Sequence, residues 1–597
     1  MAAKLRPRSY EEFLRDFSLD LPEKYNFAFD MVDAAAAEEP GRLAMIHVDD
    51  AGVRRDYSFG FFSEQSARLA GALHALGVAR GDKVMLILHR RVEFWISMLA
   101  LHKLGAVAVP SPALLTVKDI VYRVRFASIK AAIVDTDVQP VMDEARADCP
   151  SLEILVAAGL EEDRDGWKSF AAATREAPAS FPRAADAAGG GDPSIIFFSS
   201  GTTGHPKMVQ HDFYYALGHL TTGLYWHDIE PGGLHLTLAD TGWGKAVWGK
   251  FYGQWLAGGV VFVWDFRGKF DPARLLRVLS EYRVTSFCAP PTVYRFLIRE
   301  DLEGHDLSAL RHCTTAGELL NESVFAEWLE KLGLPIYEGY GQTETALQIA
   351  TFPFMEPKPG SIGKPCPGWD IALLDEHGEV CPPGVEGEIC IRIDSGRPAG
   401  LFSCYLYDEA KTVSVTSGGY YHTGDKAWMD EDGYFWFLGR IDDLIKSSGY
   451  RIGPFEVESA LVSHPAVVEA AVTGVPDPDR GQAVKATIVL AQGYAPSAEL
   501  TKELQSHVKK VTAPYKYPPK NGAISIQTSD AKALISYFQA NAVDLLNQGV
   551  TIEEVNGRKT SFSIAPADGS YKISFGEEEF ITYFKEFLRP QLIDILF

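Results

Sequence analysis

The stretch Ser199-Ser-Gly-Thr-Thr-Gly-His-Pro-Lys207 directly follows a short apolar strand, Ile195–Phe198. Its glycines and hydroxyl side chains allow backbone N–H groups and hydroxyls to surround a triphosphate, while Lys207 adds a mobile positive charge. It is not a Walker A loop, because a proline precedes the lysine and the order G-x-x-x-x-G-K-[S/T] is absent. We interpret the stretch as a phosphate-binding loop, in preference to an ordinary turn after a strand.

Helical and strand-like segments alternate around this loop. Buried strands that alternate with amphipathic helices predict an α/β fold with largely parallel sheets. Glycine-rich residues 184–192 predict a flexible connector, which joins two subdomains. From about Pro359 short strands and Gly-Pro turns predict a β-rich piece, and a new α/β unit starts near Asp442. The segments that carry the alternation are the helices Ser63–Leu76 and Val92–Leu104 and the strands Lys83–Leu88, Ala106–Val109, Ser194–Phe198, Gly258–Trp264 and Thr285–Ala289.

Length and charge restrict the class of protein. A chain of 597 residues is too long for one hydrophobic core, so we expect several domains. The formal net charge of −22 argues against nucleic acid as a partner, because phosphates call for a clustered basic surface. Any anionic ligand must therefore be held by local groups.

Cysteine spacing and apolar runs bear on the location of the chain. The seven cysteines are dispersed and include no C-x-x-C pair, which predicts reduced, buried thiols. The first residues carry no apolar stretch typical of a secretory signal. No apolar run approaches the ~18 residues that a transmembrane helix needs. These features predict a cytoplasmic protein without a membrane span.

Three further strings identify a family. They are Tyr337-Glu-Gly-Tyr-Gly-Gln-Thr-Glu-Thr345, Tyr421-His-Thr-Gly-Asp425 and Gly439-Arg-Ile-Asp-Asp443, and they follow the loop in order. Together the four strings resemble the signatures of the adenylate-forming superfamily, which comprises acyl-CoA synthetases, firefly luciferase and peptide-synthetase adenylation domains. Each string alone could be a turn, but their joint order leaves little room for that interpretation.

Other strings narrow the resemblance to medium-chain acyl-CoA synthetases of the butyrate-CoA ligase type. It runs from about residue 25 to Lys520. The strings that carry it are Ala239-Asp-Thr-Gly-Trp-Gly-Lys245, Ala289-Pro-Pro-Thr-Val-Tyr294, Thr315-Ala-Gly-Glu318 and Ser447-Ser-Gly-Tyr-Arg-Ile-Gly-Pro-Phe-Glu-Val-Glu458.

The resemblance implies roles for individual residues. Tyr340 stacks on adenine, Gly317 and Glu318 flank it, and Asp425 holds the ribose hydroxyls. Glu344 ligates Mg²⁺ through a hard oxygen donor, and Asp442 is the hinge. Trp243, for which a core aromatic is the alternative, lies with Gly339 at the carboxylate pocket. The implied catalytic residues are Lys207, Thr343, Glu344 and Arg440. The implied ATP- and CoA-binding residues are Ser199, Ser200, Gly201, Thr202, Thr203, Gly204, Gly317, Glu318, Tyr340, Gly341, Thr343, Asp425, Arg440, Gly449 and Arg451.

The resemblance also implies a reaction in two steps. A carboxylic acid attacks the α-phosphate of ATP to give acyl-AMP and pyrophosphate, with Mg²⁺ and a lysine offsetting the charge on the phosphoryl oxygens. The small C-terminal domain then rotates about Asp442 so that coenzyme A takes the acyl group. The expected partners are therefore a small carboxylic acid, ATP, Mg²⁺ and coenzyme A.

The resemblance ends inside the C-terminal domain. In this family the lid ends with a P-K-[T/S]-x-x-G-K string, whose final lysine bridges the carboxylate and the α-phosphate. Here Ala513-Pro-Tyr-Lys-Tyr-Pro-Pro-Lys520 follows the family, but no such string comes after it. We therefore hypothesise that adenylation is weakened by orders of magnitude, whereas thioester formation from supplied acyl-AMP survives.

The residues after Lys520 predict a small folded module. A helix from Ser529-Asp530 to about Leu546 precedes two strands that flank a type I′ turn at Asn556-Gly557. A further turn at Ala567-Asp-Gly569, a strand Tyr571–Phe575 and a helix from Glu577 complete it. The module is a fused domain, a natural replacement of the lid end, or an appendage that binds a partner.

These observations predict three parts: an N-terminal adenylate-forming domain (1–440), a C-terminal lid (441–520) and the α+β module (521–597). The alternative to a ligase is a weakly catalytic protein that binds nucleotide and acyl ligands, with the module binding a partner. A third possibility, transfer to a carrier protein or a luciferin-like oxidation, finds less support in the sequence.

Overall fold

The computed structural model describes residues 7–199, 206–447, 450–477, 481–491 and 493–512, together with the backbone of four short strands after residue 520. For residues 450, 451 and 481 the description covers the backbone only. The chain divides into two compact units, Met1–Phe437 and Leu438–Phe597. The predicted α/β class, with a large N-terminal part and a small C-terminal part, is confirmed.

Twenty-nine strands are assigned within the described residues. The strands that begin in the first unit are β1 (Leu43–Asp49), β2 (Arg54–Ser58), β3 (Lys83–Ile87), β4 (Val107–Pro110), β5 (Ala131–Asp135), β6 (Ile154–Ala158), β7 (Lys168–Ser169), β8 (Pro193–Ser199), β9 (Lys207–Asp212), β10 (Leu234–Thr237), β11 (Val260–Asp265), β12 (Ser286–Cys288), β13 (His312–Ala316), β14 (Ile336–Tyr340), β15 (Ile349–Ala350), β16 (Lys364–Pro365), β17 (Ile371–Leu374), β18 (Gly387–Arg392), β19 (Cys404–Tyr405), β20 (Tyr420–Met429) and β21 (Phe435–Arg440). Those of the second unit are β22 (Ile445–Ser447), β23 (Tyr450–Ile452), β24 (Val467–Asp477), β25 (Gly481–Leu490), β26 (Ser525–Gln527), β27 (Val550–Glu554), β28 (Phe562–Pro566) and β29 (Ile573–Phe575).

The helices lie mostly on the faces of the sheets. Two short π-helical segments, Ala28–Asp33 and Thr222–Trp226, accompany them. The α-helices are α1 (Tyr10–Asp16), α2 (Ala34–Glu38), α3 (Phe59–Ala75), α4 (Glu93–Leu104), α5 (Val117–Ala127), α6 (Gln139–Arg146), α7 (Phe170–Glu176), α8 (Tyr214–Gly218), α9 (Gly244–Lys250), α10 (Tyr252–Leu256), α11 (Pro272–Glu281), α12 (Pro291–Leu297), α13 (Glu322–Leu332), α14 (Glu409–Val415), α15 (Pro454–Val462) and α16 (Ala498–Val511).

Two large sheets form the first unit. One has eight strands in the order β19-β9-β8-β4-β3-β5-β6-β7, and the other has nine in the order β16-β15-β14-β13-β12-β10-β11-β1-β2. The interior pairs are parallel, whereas β9 and β19 at one edge of the first sheet and β2, β15 and β16 at the edges of the second are antiparallel. The interior strands β3, β5, β6 and β11 are rich in buried valine, leucine and isoleucine, which is typical of parallel sheets covered on both faces.

The ends of the first predicted helices follow from their caps. The hydroxyl of Ser58 accepts a hydrogen bond from the backbone N–H of Phe61, so α3 begins at Phe59, four residues before its predicted start. Helix α4 ends at Gly105, whose φ of 69° is the left-handed conformation that glycine adopts without steric cost. The helix–strand alternation of this region is confirmed.

The predicted flexible connector, residues 184–192, is held in place instead. Ala188 is buried, and its carbonyl accepts a hydrogen bond from the side chain of Asn26. A Cβ on Gly189 would lie 2.6 Å from the carbonyl oxygen of Lys24. The segment leads into β8, and the strands before it belong to the same eight-stranded sheet. It therefore connects strands of one sheet and does not join two subdomains. The glycines serve close backbone packing, which the sequence pattern does not distinguish from flexibility.

Smaller sheets complete the two units. The predicted β-rich piece is confirmed as a four-stranded sheet in the order β17-β18-β20-β21. In the second unit β24 and β25 form a long antiparallel pair, β22 and β23 extend the sheet, and β26 adds to β25 in parallel. Helices α15 and α16 pack on the core of this unit through Val457, Leu461, Leu504 and Val508.

The module after residue 520 is described only at its strands. Three antiparallel strands in the order β27-β28-β29 confirm the predicted strands on either side of Asn556-Gly557 and the strand that ends at Phe575. The predicted type I′ turn at Asn556-Gly557 lies outside the described residues. The two predicted helices lie outside the described residues.

Two expectations about the whole chain can be compared with the described residues. Six of the seven cysteine side chains are buried, and Cys404 is half-buried, with all seven as free thiols. Among the helices that the structure describes, none is both long enough and apolar enough to span a membrane.

Candidate active site

The segment 340–344 follows β14, at the carboxyl end of a parallel strand, where α/β enzymes commonly place their ligand sites. The Tyr340 hydroxyl donates a 2.6 Å hydrogen bond to Oδ2 of Asp425, and Nε2 of Gln342 donates to the same oxygen at 2.8 Å. Asp425 lies on β20 and is buried. Tyr340 and Asp425 come from two different motifs and lie more than 80 positions apart in the sequence. The structure brings the two residues into direct contact.

Gln342 is a part of this arrangement that the sequence analysis did not assign. Its amide nitrogen also donates to the carbonyl of Thr423 at 2.9 Å, and its amide oxygen accepts from the hydroxyl of the buried Tyr421 at 2.9 Å. Both ends of one side chain therefore hold strand β20 against the turn after β14. Gln342 and Tyr421 lie inside the sequence motifs quoted above. Their place in those motifs was the signal that could have identified them as site residues.

The second cluster joins Lys207, Tyr405 and Glu344. Lys207 begins β9 and pairs with Ser199 across the β8–β9 ladder. Its ammonium nitrogen lies 5.3 Å from the centre of the Tyr405 ring, within the range of a cation–π contact. The Tyr405 hydroxyl donates to Oε1 of Glu344 at 2.7 Å, and the Glu344 carbonyl accepts from the N–H of Phe402 at 2.7 Å. No motif in the sequence pointed to Tyr405.

A buried histidine fixes the backbone between these clusters. Nε2 of His211 donates to the carbonyl oxygen of Thr343 at 2.8 Å. Complete burial lowers the pKa of His211 to about 3, so the imidazole is neutral and carries its hydrogen on the nitrogen that faces the carbonyl. The peptide between Thr343 and Glu344 is thus oriented by a group that does not change charge at neutral pH.

Two glycines let the same segment lie close to aromatic side chains. A Cβ on Gly339 would lie 2.6 Å from Cε2 of Trp226, and one on Gly341 would lie 2.2 Å from Cη2 of Trp248. Both separations are far below a normal contact, so these positions require glycine. The packing accounts for both residues without a ligand, and their assigned roles in the substrate pocket and the nucleotide site remain predictions.

Gly317 and Glu318 follow β13. Gly317 has a φ of 98°, which favours glycine, and it is exposed. Oε2 of Glu318 accepts from the Thr292 hydroxyl at 3.3 Å, whereas its Oε1 is buried and has no hydrogen-bond partner among the residues that the structure describes. Burial raises the pKa of Glu318. A buried acceptor of this kind offers a place for a ligand donor.

A small, partly open cavity adjoins Ala316 at the end of β13. The Lys245 side chain reaches into it and donates to the carbonyl of Ala316 at 2.6 Å, and burial lowers the pKa of this lysine. Trp243, the predicted pocket residue, is half-buried at the start of α9 and does not line this cavity. The residues that line the cavity are Trp226, His227, Thr237, Lys245, Trp248, Gly249, Cys288 and Ala316.

The remaining predicted residues fall elsewhere. Arg440 ends β21, and its carbonyl accepts from the N–H of Asp443 in a turn that exposes Asp442. Both belong to the second unit. Arg451 lies on β23 with only its backbone described. Ser200, Gly201, Thr202, Thr203, Gly204 and Gly449 lie outside the described residues.

Two family profiles match the chain. The AMP-binding enzyme family matches residues 32–406, and the AMP-binding enzyme C-terminal domain matches residues 456–525. The first match covers the phosphate loop, the segment 340–344 and the Lys207 cluster. The second covers most of the described part of the second unit and ends at β26.

Curated relatives agree along most of the chain. Acyl-coenzyme A synthetase ACSM3, mitochondrial, of Rattus norvegicus is 42% identical over 521 residues, which are 86% of this chain and 89% of the relative. Acyl-coenzyme A synthetase ACSM5, mitochondrial, of Homo sapiens is 42% identical over 515 residues, which are 85% of this chain and 88% of the relative.

Solved structures share the fold. An anthranilate CoA ligase, AuaEII, in complex with anthranoyl-AMP, superposes with a TM-score of 0.77 at 29% identity, covering 88% of this chain and 99% of that one. A Brucella canis acyl-CoA synthetase gives a TM-score of 0.68 at 29% identity, with coverages of 90% and 99%. These matches, together with the clusters around Asp425 and Glu344, show that the chain belongs to the AMP-binding enzyme family and, within it, to the acyl-coenzyme A synthetases.

Proposed function

We propose that this chain activates a medium-chain carboxylic acid with ATP to give acyl-AMP and pyrophosphate, and then transfers the acyl group to coenzyme A with release of AMP. ATP and coenzyme A are substrates of the family. The observation that carries the proposal is the segment 340–344, which is joined to Asp425 at one end and, through Tyr405, to Lys207 at the other.

The nucleoside would lie along this segment. Asp425 offers a carboxylate whose orientation is already fixed by Tyr340 and Gln342, and a carboxylate suits paired ribose hydroxyls. The unpaired Oε1 of Glu318 fits a hydrogen-bond donor such as the exocyclic amine of adenine. Gly317, Gly341 and Thr343 complete the proposed nucleotide site.

The phosphates would lie at the opposite end, near Lys207. Glu344 supplies the oxygen chemistry that Mg²⁺ prefers, and Tyr405 holds the carboxylate through Oε1. When bound, Mg²⁺ supplies charge neutralisation for the phosphoryl oxygens. Lys207 would donate to the phosphates, and Ser199, which pairs with it, marks the start of the proposed phosphate loop.

The acyl chain would lie against the aromatic side chains of Trp226 and Trp248, beside Lys245. The cavity between these residues has room for about one water molecule, so its walls would have to move apart to admit the chain. Aromatic walls suit an apolar chain, and the buried lysine adds one polar group at the wall. The anthranilate CoA ligase and a benzoate CoA ligase from Burkholderia xenovorans share the fold, the latter with a TM-score of 0.72 at 26% identity. The rates with octanoate, a medium-chain acid, and with benzoate, an aromatic acid, should therefore be compared.

We also propose that adenylation is slow in this chain. The family string that ends in the lid lysine has no counterpart after Lys520, and one charge contact in a transition state is typically worth ~10²–10³ in rate. Asp442 keeps its proposed role as the hinge and Arg440 its proposed catalytic role, while Gly449 and Arg451 stay among the proposed ATP- and CoA-binding residues. Transfer from supplied acyl-AMP would then proceed at the normal rate of the family.

The test is pyrophosphate release with ATP, Mg²⁺ and octanoate. The chain is compared with a version whose residues after 520 are replaced by a family-type lysine lid, and octanoyl-CoA formation from synthetic octanoyl-AMP is measured for both. We expect pyrophosphate release to rise at least ~100-fold in the repaired version while thioester formation changes little. Equal pyrophosphate release in both versions would refute the lid proposal and leave a working ligase.

The alternative is a protein that binds nucleotide and acyl ligands and catalyses little. The missing lid string favours it, and the intact clusters around Asp425 and Glu344 favour the ligase. If the repaired version binds AMP but releases no pyrophosphate, the binding function is the correct one. The cytoplasmic location and a partner for residues 521–597 remain predictions.

A further inference from the structure

Three potential metal ligands of different chemistry meet on neighbouring strands of the four-stranded sheet. Glu388 and Cys390 lie on β18, and His422 lies on β20, where it pairs with Cys390 across the ladder. A carboxylate oxygen, the thiol sulfur and an imidazole nitrogen all lie within 4.8 Å of one another. None of the three residues has a part in the proposed reaction.

The distances resemble those of a coordination sphere. Nδ1 of His422 lies 2.9 Å from Oε2 of Glu388 and 3.4 Å from Sγ of Cys390. The Cys390 thiol also hydrogen-bonds the Glu388 carboxylate, so each of the three groups contacts the other two. In a tetrahedral zinc site the bond lengths of ~2.0–2.3 Å place neighbouring ligand atoms ~3.3–3.6 Å apart. The sulfur and nitrogen therefore already have the required separation, and the carboxylate needs only a small shift.

The surroundings favour entry of a cation. Cys390 is buried, whereas the side chains of His422 and Glu388 are 29% and 21% exposed, so an ion reaches the sulfur past these two groups. Lys426 stands opposite Glu388 in the ladder, and its ammonium pairs with Glu386 at 3.6 Å. The acidic net charge of −22 raises the local concentration of cations.

We propose that Glu388, Cys390 and His422 bind a divalent cation of the zinc class, with a fourth position open to solvent. The combination of thiolate, imidazole and carboxylate selects such an ion over Mg²⁺, which prefers oxygen ligands alone. The thiol releases its proton to solvent when the ion binds. The site is distinct from the Mg²⁺ position proposed at Glu344.

The site is connected to the nucleotide pocket through one backbone group. Oε1 of Glu388 accepts a 2.9 Å hydrogen bond from the N–H of Gly424, the residue before Asp425. A cation that draws Glu388 towards Cys390 weakens this bond and shifts the part of β20 that carries Asp425. Bound zinc therefore inhibits by lowering the affinity for the ribose, a consequence that rests on the proposed function.

Cobalt binding to the full chain tests the site without nucleotide. Co²⁺ replaces zinc in such sites and absorbs in the near ultraviolet when a thiolate ligates it. We expect one equivalent to produce this band and Cys390→Ser to abolish it. His422→Gln removes a direct ligand, so it lowers the affinity at least as much as the ~10–100-fold typical of changes to a ligand's supporting residues. Zinc added afterwards should bleach the band.

Two control variants distinguish this site from adventitious binding. Cys404→Ser changes the half-buried thiol, and His89→Gln disrupts the second described group of possible ligands, His89, Asp135 and Asp137. Both should keep the band unchanged. A band that survives in the Cys390→Ser variant, or that never forms in the unaltered chain, overturns the proposal. If Cys390→Ser fails to fold, His422→Gln and Glu388→Gln provide the same comparison.

Adenosine binding separates the two proposals, because adenosine carries the ribose but no phosphate that would chelate zinc. We expect one equivalent of zinc to weaken adenosine binding several-fold in the unaltered chain and to have no effect in the Cys390→Ser variant. If metal-free protein binds no adenosine, the proposed nucleotide site fails, while the cobalt band still decides the metal site. Adenosine binding that is indifferent to zinc refutes the inhibitory connection.

Discussion

The hydroxyl of Tyr405 donates a 2.7 Å hydrogen bond to the carboxylate of Glu344, while the ring of the same tyrosine lies under the ammonium of Lys207. One side chain thus fixes the distance between the proposed Mg²⁺ ligand and the proposed phosphate-binding lysine. In this arrangement the hydroxyl and the ring have separable tasks. The first four predictions below concern single side chains of this region.

Tyr405→Phe should lower the rate of pyrophosphate release about tenfold or more, because a hydrogen bond to a charged group contributes about 1.5–3 kcal/mol. The ring stays under Lys207, so the affinity for ATP should change less than the rate. Steady-state kinetics in the version with the lysine lid provide the measurement. Tyr407→Phe, two residues away and 61% exposed, is the matched control and should behave as the unaltered chain. A normal rate for Tyr405→Phe would mean that Glu344 needs no such support.

Asp425→Asn should weaken AMP binding about 10–100-fold, because the ribose hydroxyls lose a charged acceptor while the side-chain shape is kept. The bonds from Tyr340 and Gln342 still find an amide oxygen, so the fold should remain. Isothermal titration with AMP measures the effect, and Asp432→Asn, on a side chain 72% exposed, serves as control. Unchanged affinity would place the ribose elsewhere.

Gly341→Ala should destabilise the first unit by about 1–3 kcal/mol, because its Cβ would overlap the Trp248 ring at 2.2 Å. The displaced segment should also lose affinity for AMP. Gly191→Ala is the control, since a Cβ at Gly191 meets no atom within 4 Å. Thermal unfolding followed by tryptophan fluorescence measures the difference. Equal melting temperatures for the two variants would contradict the close packing.

Glu338 makes the stability of the first unit depend on pH. Burial raises the pKa of this carboxyl from 4.5 to about 8, so between these values the native chain holds a proton that the unfolded chain has lost. Its contribution to the free energy of unfolding therefore falls as pH rises from about 4.5 to about 8 and is constant above.

Glu338→Gln should remove this dependence. The amide stays neutral, and its oxygen can still accept from the N–H of Leu320 as Glu338 does at 2.9 Å. At pH 9 the variant should be more stable than the unaltered chain by on the order of a few kcal/mol, and at pH 5 nearly equal to it. Denaturant unfolding at the two pH values measures both differences. A constant difference across pH would show that Glu338 is ionised in the native chain.

Sequence motifs predicted most residues of the candidate site. The other residues belong to it because of tertiary packing. Tyr340 and Asp425 were expected at the nucleotide from their strings, and their hydrogen bond shows that the two strings meet. Tyr405 belongs to no motif, and it reaches Lys207 only because β19 pairs with β9, a pairing between residues far apart in sequence. Long-range pairings of this kind are not visible in local periodicity.

The glycines of the predicted connector were misjudged. The run Gly189-Gly-Gly191 suggested flexibility, but Gly189 and Gly190 pack against the backbone of residues 23–25. Some glycines have open space around them, and others allow a second backbone segment to pack closely. The local sequence looks the same in both cases. Only the tertiary contacts decide between the two. Gly339 and Gly341 show a related ambiguity, because each lies close to a tryptophan ring while its assigned role at a ligand remains a prediction.

The strand order of the nine-stranded sheet has a consequence for synthesis on the ribosome. Strand β1 is made before every strand of the eight-stranded sheet, yet its parallel neighbour β11 is made only after all of that sheet except β19. Until then β1 has only β2 beside it, with one edge unpaired and its apolar residues unburied. Exposed edges of this kind recruit other chains. Production of this protein should therefore depend strongly on chaperones that bind nascent chains, and slower translation should not relieve that dependence.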